Sequence, residues 1–197
     1  MEHLTDQELI AAYARGEEHA FDVLVKRYLQ GIYRFLLRLV REKELAEDLA
    51  QETFVRAWKK FETFDQTRSF KSWLFAIARY AAFDALKKKQ PLRFSELTRG
   101  ELFEENLEAS LPDERPSPHE LMLLQEEKGQ VEHLLAELPL SSQEVLLLHD
   151  DEDLTFQEIA ITIKEPLNTV KSRYRRALLQ LRKNLLKKAI KDKSAEQ

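Results

Sequence analysis

Cysteine is absent from this 197-residue chain, which excludes disulfides and thiolate metal sites. Glycine occurs only 4 times, and no Gly-rich loop that could cradle a phosphate exists. No apolar run approaches the ~18 residues of a membrane span. The N-terminal stretch MEHLTDQELIAAY is acidic and polar at its start, unlike a signal peptide. The 5 histidines, His3, His19, His119, His133 and His149, are scattered without ligand spacing. Neither a nucleophile–base pair nor a metal cluster is visible, so the sequence offers no catalytic residue, no metal site and no cofactor. These absences fit a soluble, cytoplasmic, mostly helical protein that is not an enzyme.

What the chain does have is segregated charge. The formal net charge is −4, but from Lys164 to Lys193 there are 11 Lys and Arg against 2 acids. From Pro91 to Glu127 there are 3 Arg against 10 acids. A basic end and an acidic middle suggest a nucleic-acid surface joined to an acidic connector.

The basic end holds the most informative stretch, LTFQEIAITIKEPLNTVKSRYRRALLQLRK, from Leu154 to Lys183. Thr155 with Glu158 forms a capping box and should start a helix. Phe156, Ile159, Ala160 and Ile163 give that helix one apolar face. Pro166 and Asn168 mark a stop and a fresh start. In the second helix Val170, Tyr174, Ala177, Leu178, Leu181 and Leu185 fall on one stripe. Lys171, Arg173, Arg175, Arg176, Arg182 and Lys183 fall off it and are expected to face outward. A short helix under a basic second helix is how a helix-turn-helix enters a major groove. An ordinary amphipathic hairpin with a solvated basic face satisfies the same pattern.

Upstream, residues 4–15 and 17–40 read as two helices broken at Gly16. The second carries the stripe Phe21, Leu24, Val25, Tyr28, Ile32, Phe35, Leu36 and Leu39. A third helix spans 44–61, with Leu45, Leu49, Phe54 (or Thr53), Ala57, Trp58 and Phe61 inward and an acidic-polar face outward. A polar loop follows, then a fourth helix over 70–89. There aromatics interleave with cations, as in single-strand binding, although a core helix with a lysine-rich end reads the same way. Residues 91–119 hold 4 of the 6 prolines and the acidic excess and read as a linker. A helix is expected over about 120–138. Ser141 or Ser142 should cap the next, and an acidic loop, His149–Asp153, precedes the helix-turn-helix. The tail after Lys188 is polar.

Four stretches, in this order, resemble the extracytoplasmic-function (group IV) sigma factors of bacterial RNA polymerase. They are the helix around Phe21 to Tyr28, AEDLAQETFVRAW at 46–58, RSFKSWLFAIARYAAFDALKKK at 68–89, and LPLSSQEVLLLHDDEDLTFQEIA with NTVKSRYRRALLQLRK. The resemblance implies an all-α chain of two small domains. Residues 1–90 would be sigma region 2, binding core polymerase and opening the −10 element. Residues 91–119 would be the linker, and 120–190 region 4, reading the −35 element. It further implies a polymerase interface at Asp48, Leu49, Gln51, Glu52 and Phe54. The −10 set would be Phe64, Arg68, Phe70, Trp73, Arg79, Tyr80, Lys87, Lys88 and Lys89. The −35 set would be Asn168, Thr169, Lys171, Ser172, Arg173, Arg175 and Arg176. Implied partners are core RNA polymerase (clamp and flap regions), promoter DNA and an anti-sigma factor, with a monomer when free. A stand-alone helix-turn-helix regulator of duplex DNA is the alternative, but it has no need of the 46–89 features.

Two positions depart from the family pattern. Tyr80 stands where the family usually has Asn. Ile163-Lys164-Glu165-Pro166 stands where a Leu-Gly-Ile-Pro-like turn is common, and a lysine in a left-handed turn costs about 1 kcal/mol. Promoter elements ~17 base pairs apart lie roughly 58 Å apart at ~3.4 Å per pair. A coil of the length of 91–119 averages only about 30 Å and reaches roughly 95 Å when fully extended. The linker can therefore bridge them only when held extended. In free solution the two domains are expected to sit close together or pack on each other, hiding DNA-binding surface.

Overall fold

The computed structural model describes residues 1–89 and 134–195, with side chains as far as residue 185. The expected linker 91–119 and the expected helix between 120 and 133 lie outside the described residues. Among the described residues every regular element is helical, as the all-α reading requires.

The N-terminal half is a four-helix unit. Helix α1 spans Asp6–Ala14, and its N-terminus closes on a capping box between Thr5 and Glu8. Thr5 Oγ1 accepts from the Glu8 N–H at 3.3 Å, and the Glu8 carboxylate accepts from the Thr5 N–H at 2.7 Å. Gly16, at φ 95°, provides the break. Helix α2 spans His19–Val40 and ends where Arg41 turns left-handed, φ 56°. Helix α3 spans Lys43–Lys60, and a 3-10 turn, Phe61–Thr63, follows it. Helix α4 runs over Phe70–Lys89. Ser69 starts it, its Oγ accepting from the Ser72 N–H at 3.2 Å.

An aromatic cluster fixes the corner between α3 and α4. The Phe61, Phe64 and Phe70 rings sit 5.6–6.4 Å apart centre to centre, and Trp73 packs 4.7 Å from Phe64. Deeper in, Phe35 of α2 meets Phe75 of α4 edge-on at 5.4 Å.

The C-terminal half resumes in a helical turn at 134–136. Helix α5 spans Leu140–Leu146 and runs on into a π turn, Leu147–Asp151. Two expectations are corrected here. Pro139, not Ser141 or Ser142, occupies the N-cap, because its carbonyl accepts from the Ser142 and Gln143 N–H groups. Residues 149–151 of the expected acidic loop are wound into the π turn, which ends before Asp153 at φ 53°. Helix α6, Phe156–Ile163, opens with the expected capping box between Thr155 and Glu158. Helix α7, Leu167–Ala195, begins as the Pro166 carbonyl accepts from the Val170 N–H. Between them Lys164 sits left-handed at φ 59° and donates its N–H to the Ala160 carbonyl.

The two halves pack against each other, as expected for the free chain. One apolar cluster runs from Leu9 through Phe75 to Ile159 and Val170. Helix α4 lies on α6, where Thr162 Oγ1, donating to the Glu158 carbonyl at 2.8 Å within its own helix, also lies 3.2 Å from the Ser72 carbonyl. Arg41 reaches across to the Ala136 carbonyl at 2.9 Å and the Gln143 amide oxygen at 3.2 Å.

Lys164 holds a conformation in which a Cβ costs energy and glycine does not. Lys164→Gly should stabilise the chain by about 0.5–1 kcal/mol, read as a higher midpoint of thermal unfolding.

Candidate nucleic-acid interface

Helix α7 presents its first turns to solvent. Asn168, Lys171, Ser172, Arg175 and Arg176 are exposed, and Thr169 is half-buried. This places cations and hydrogen-bonding side chains on one rim, the composition that phosphate and base-edge contacts require. Arg173 differs. Expected outward, it is only 6% exposed. Its guanidinium lies 3.8 Å from Glu144 and 3.7 Å from Glu165. Glu165, at a turn position where the resemblance has an apolar residue, thus faces an arginine of α7.

Helix α4 carries the second set. Arg68 is exposed and paired with Asp65 at 3.2 Å. Asp65 also accepts from the Thr67 N–H and hydroxyl, and these bonds hold its carboxyl below the usual range. Phe64 and Phe70 lie buried inside the aromatic cluster, and Trp73 is half-buried at its edge. Their flat faces are engaged with one another, so in this conformation Phe64 does not sit among cations at the surface. Tyr80 is 66% exposed. Lys87, Lys88 and Lys89 are exposed; Lys88 pairs with Asp84 at 2.8 Å and Lys89 with Glu42. Arg79 lies over the Phe83 ring at 4.4 Å and donates from Nε to Glu144 at 2.5 Å.

Glu144 therefore lies between the two sets. Its side chain is 0% exposed and faces Arg79 of α4 and Arg173 of α7. The sequence placed Glu144 only within an apolar helix, and its pattern gives no sign of this role. A neighbouring group of carboxylates also crosses the boundary. Asp151 pairs with Arg38 of α2. Glu152, also buried, has Lys71 of α4 at 3.6 Å and Arg34 of α2 at 4.0 Å, and its carbonyl accepts from Lys71. Burial pushes the Glu152 carboxyl above its ordinary range, and Lys71 and Arg34 oppose that rise. Asp150 is raised by burial as well, with the Tyr174 hydroxyl, donating at 2.8 Å, opposing it. Gly31 of α2 makes room for Glu152, since a Cβ there would lie 2.9 Å from the Oε2 atom.

On α3 the sequence-derived set separates by burial. Asp48, Gln51 and Glu52 are exposed; Leu49 and Phe54 are core. Val55 and Trp58 share the exposed face, Trp58 at 56%. Trp58 was expected on the inward stripe. Counting from Asp48 in steps of three and four reaches Gln51, Glu52, Val55 and Trp58, so the signal was present in the spacing.

Among the described residues no group of three or more His, Asp or Glu could hold a metal ion, and no helix is long and apolar enough to cross a membrane.

Removing one partner from a buried ion pair leaves an uncompensated charge, which costs about 3–5 kcal/mol. Glu144→Ala should accordingly lower the urea midpoint far more than Glu52→Ala, whose pairing with Arg56 is exposed and worth about 0.3–0.5 kcal/mol.

Comparison with known proteins gives the arrangement a family. Residues 24–91 match the model for Sigma-70 region 2, and residues 128–181 match Sigma-70, region 4. The chain is 32% identical to the RNA polymerase sigma-H factor of Pseudomonas aeruginosa, over 87% of this chain and 89% of that one. It is 28% identical to the ECF RNA polymerase sigma factor SigW of Bacillus subtilis, over 87% and 91%. It is 30% identical to the ECF RNA polymerase sigma-E factor of Escherichia coli, over 89% and 92%. The fold is shared with CnrH, solved in complex with the cytosolic domain of CnrY, at a TM-score of 0.64 and 24% identity, covering 91% of this chain and 96% of that one. It is shared also with RpoE from Bartonella quintana, solved with the anti-sigma factor NepR, at 0.61 and 22%, covering 84% and 96%. With a buried carboxylate set between two helical units that each match a sigma region, this chain belongs to the extracytoplasmic-function sigma factors of the sigma-70 family.

Proposed function

We propose that this sigma factor docks on core RNA polymerase through the exposed face of α3. From there it opens and reads the −10 element with α4 and reads the −35 duplex with α7. The observation that carries the docking assignment is the apolar pair Val55 and Trp58 beside Asp48, Gln51 and Glu52, all in water. An exposed tryptophan ringed by polar groups is the usual anchor of a protein–protein contact. Leu49 and Phe54 hold this face in place from the core side.

On the DNA side, exposed Asn168, Lys171, Ser172, Arg175 and Arg176 are positioned to take base edges and phosphates. Arg68, Tyr80 and Lys87–Lys89 are the accessible members of the −10 set. Flipping a base costs a few kcal/mol and stacking on an aromatic ring returns about 1–3. Tyr80 is the exposed ring available for that now. Trp73, half-buried, would contribute its outer edge. The domains are assigned as 1–90 for region 2 and 120–190 for region 4, with the acidic 91–119 stretch bridging them on promoter DNA.

The chain carries specificity and no chemistry of its own, and it works in the cytoplasm beside the polymerase. A partner of the anti-sigma kind is inferred from RpoE, which was solved with one.

Added to core polymerase on a library of promoters, the chain should direct transcription from a discrete subset. No transcript above core alone would overturn the reading. Trp58→Ala should weaken core binding roughly 30-fold or more, the loss of about 2 kcal/mol typical of a buried aromatic anchor. Equal binding by a Val55→Ala/Trp58→Ala double variant and the wild type in a pull-down titration would remove the docking assignment.

A further inference from the structure

Arg173 occupies a place that an apolar residue would ordinarily fill. Val170, Arg173 and Ala177 follow one another in steps of three and four along α7, and all three are buried. The line that seats α7 on its own domain therefore carries a guanidinium. A buried cation must be met by anions, and two carboxylates meet this one from different elements. Glu144 comes from α5 at 3.8 Å, and Glu165 comes from the turn before α7 at 3.7 Å. Glu165 is itself anchored, because its N–H donates to the Ala160 carbonyl of α6 at 3.1 Å. Arg173 thus ties α7 to α5 and to the end of α6. All of these residues lie within the stretch that matches Sigma-70 region 4. On the same helix, the side chains assigned to base edges and phosphates, Asn168, Lys171, Ser172, Arg175 and Arg176, are exposed.

We propose that Arg173 is a positioning residue for −35 reading: braced by Glu144 and Glu165, it fixes the rotation of α7 about its axis and contacts no DNA itself. The proposal deepens the assignment of α7 as the −35 reader and rests on it. Apolar burial is non-directional, so Val170 and Ala177 seat the helix without setting its rotation closely. Two carboxylates from different elements define a direction. The margin is small. A rotation of about 20° carries a side-chain tip at a radius of about 5–6 Å through roughly 2 Å. A hydrogen bond to a base edge, confined to about 2.7–3.2 Å, does not survive that displacement. The brace also gives Glu165 a purpose. An acid beside a DNA-reading helix repels phosphate, a cost that an apolar residue in the turn avoids.

The sign of one substitution separates a brace from a bystander. The full chain is combined with core polymerase on a promoter taken from the library, intact or with its −35 element scrambled. The readout is the ratio of transcript from the two. Were Glu165 an idle surface acid, Glu165→Ala would relieve repulsion and leave the ratio unchanged or higher. As part of the brace, it should lower the ratio about tenfold, the loss of one base-edge contact. Arg173→Met keeps bulk and removes charge. It should lower the ratio similarly while the salt dependence of promoter binding keeps its slope, whereas loss of a phosphate contact reduces that slope by about 1. Arg173→Lys should recover most of the discrimination, since an ammonium can face both acids at these separations. The Glu165→Ala/Arg173→Met double variant should lose no more than the worse single variant, as expected of two groups that act as one. Where Arg173→Met loses helical ellipticity, Glu165→Ala, a change at a part-exposed site, carries the test. A ratio unchanged or raised in Glu165→Ala, a reduced salt slope in Arg173→Met, or additive losses in the double variant overturn the brace alone. A wild type that does not distinguish the two templates removes the assignment of α7, and the brace with it.

Discussion

A carboxylate with no access to water is costly unless cations and hydrogen bonds surround it. Glu144 is met by arginines that two helices from different halves of the chain deliver to it. The requirement reaches outward from there. Arg79 can arrive because α4 lies along α6, a packing held by the apolar cluster they share. Arg173 arrives from α7, which follows the left-handed turn at Lys164. The Phe83 ring under Arg79 restricts the guanidinium further. One buried charge thereby links the boundary between the halves, the turn at Lys164 and helices α4 and α7.

The remaining charges follow a related logic. Surface pairs such as Lys43–Glu47 and Arg56–Glu52 join neighbours on one helix and contribute a few tenths of a kcal/mol each. Those crossing the boundary, Arg38–Asp151 and Lys71–Glu152, join distant segments and lie at the edge of the core. The burial that raises the Glu152 carboxyl is the same burial that strengthens its attraction to Lys71. An interface of this kind is selective without being strong, because much of the Coulombic gain is offset by desolvation.

Helix existence and type were legible in the sequence because they depend on local rules. The period of three and four along α2 and α7 and the Thr155–Glu158 box each express interactions within a few residues. The corrections fall where distant contacts decide. Arg173 sits off the apolar stripe of its own helix, yet Glu144 from another helix draws it inward. Trp58 looked like a core residue because it is large and apolar, and only its angular position on α3 argues otherwise. Residues 149–151 looked like a loop because they are acidic, but Leu147 and Leu148 are buried and the winding carries through them. Phe64 was read from its loop position, whereas its neighbours Phe61, Phe70 and Trp73 close around it.

Among the described residues Trp58, with Tyr80, stands apart from the other large rings in its exposure. Its indole stands in water, while of the arginines that meet Glu144 Arg79 is largely covered and Arg173 is buried. A surface already in solvent can be met by diffusion alone, whereas one that must first be uncovered waits on another event. On the assignments proposed above, the α3 face is open to a partner from the start, whereas Arg79 reaches another anion only once Glu144 releases it.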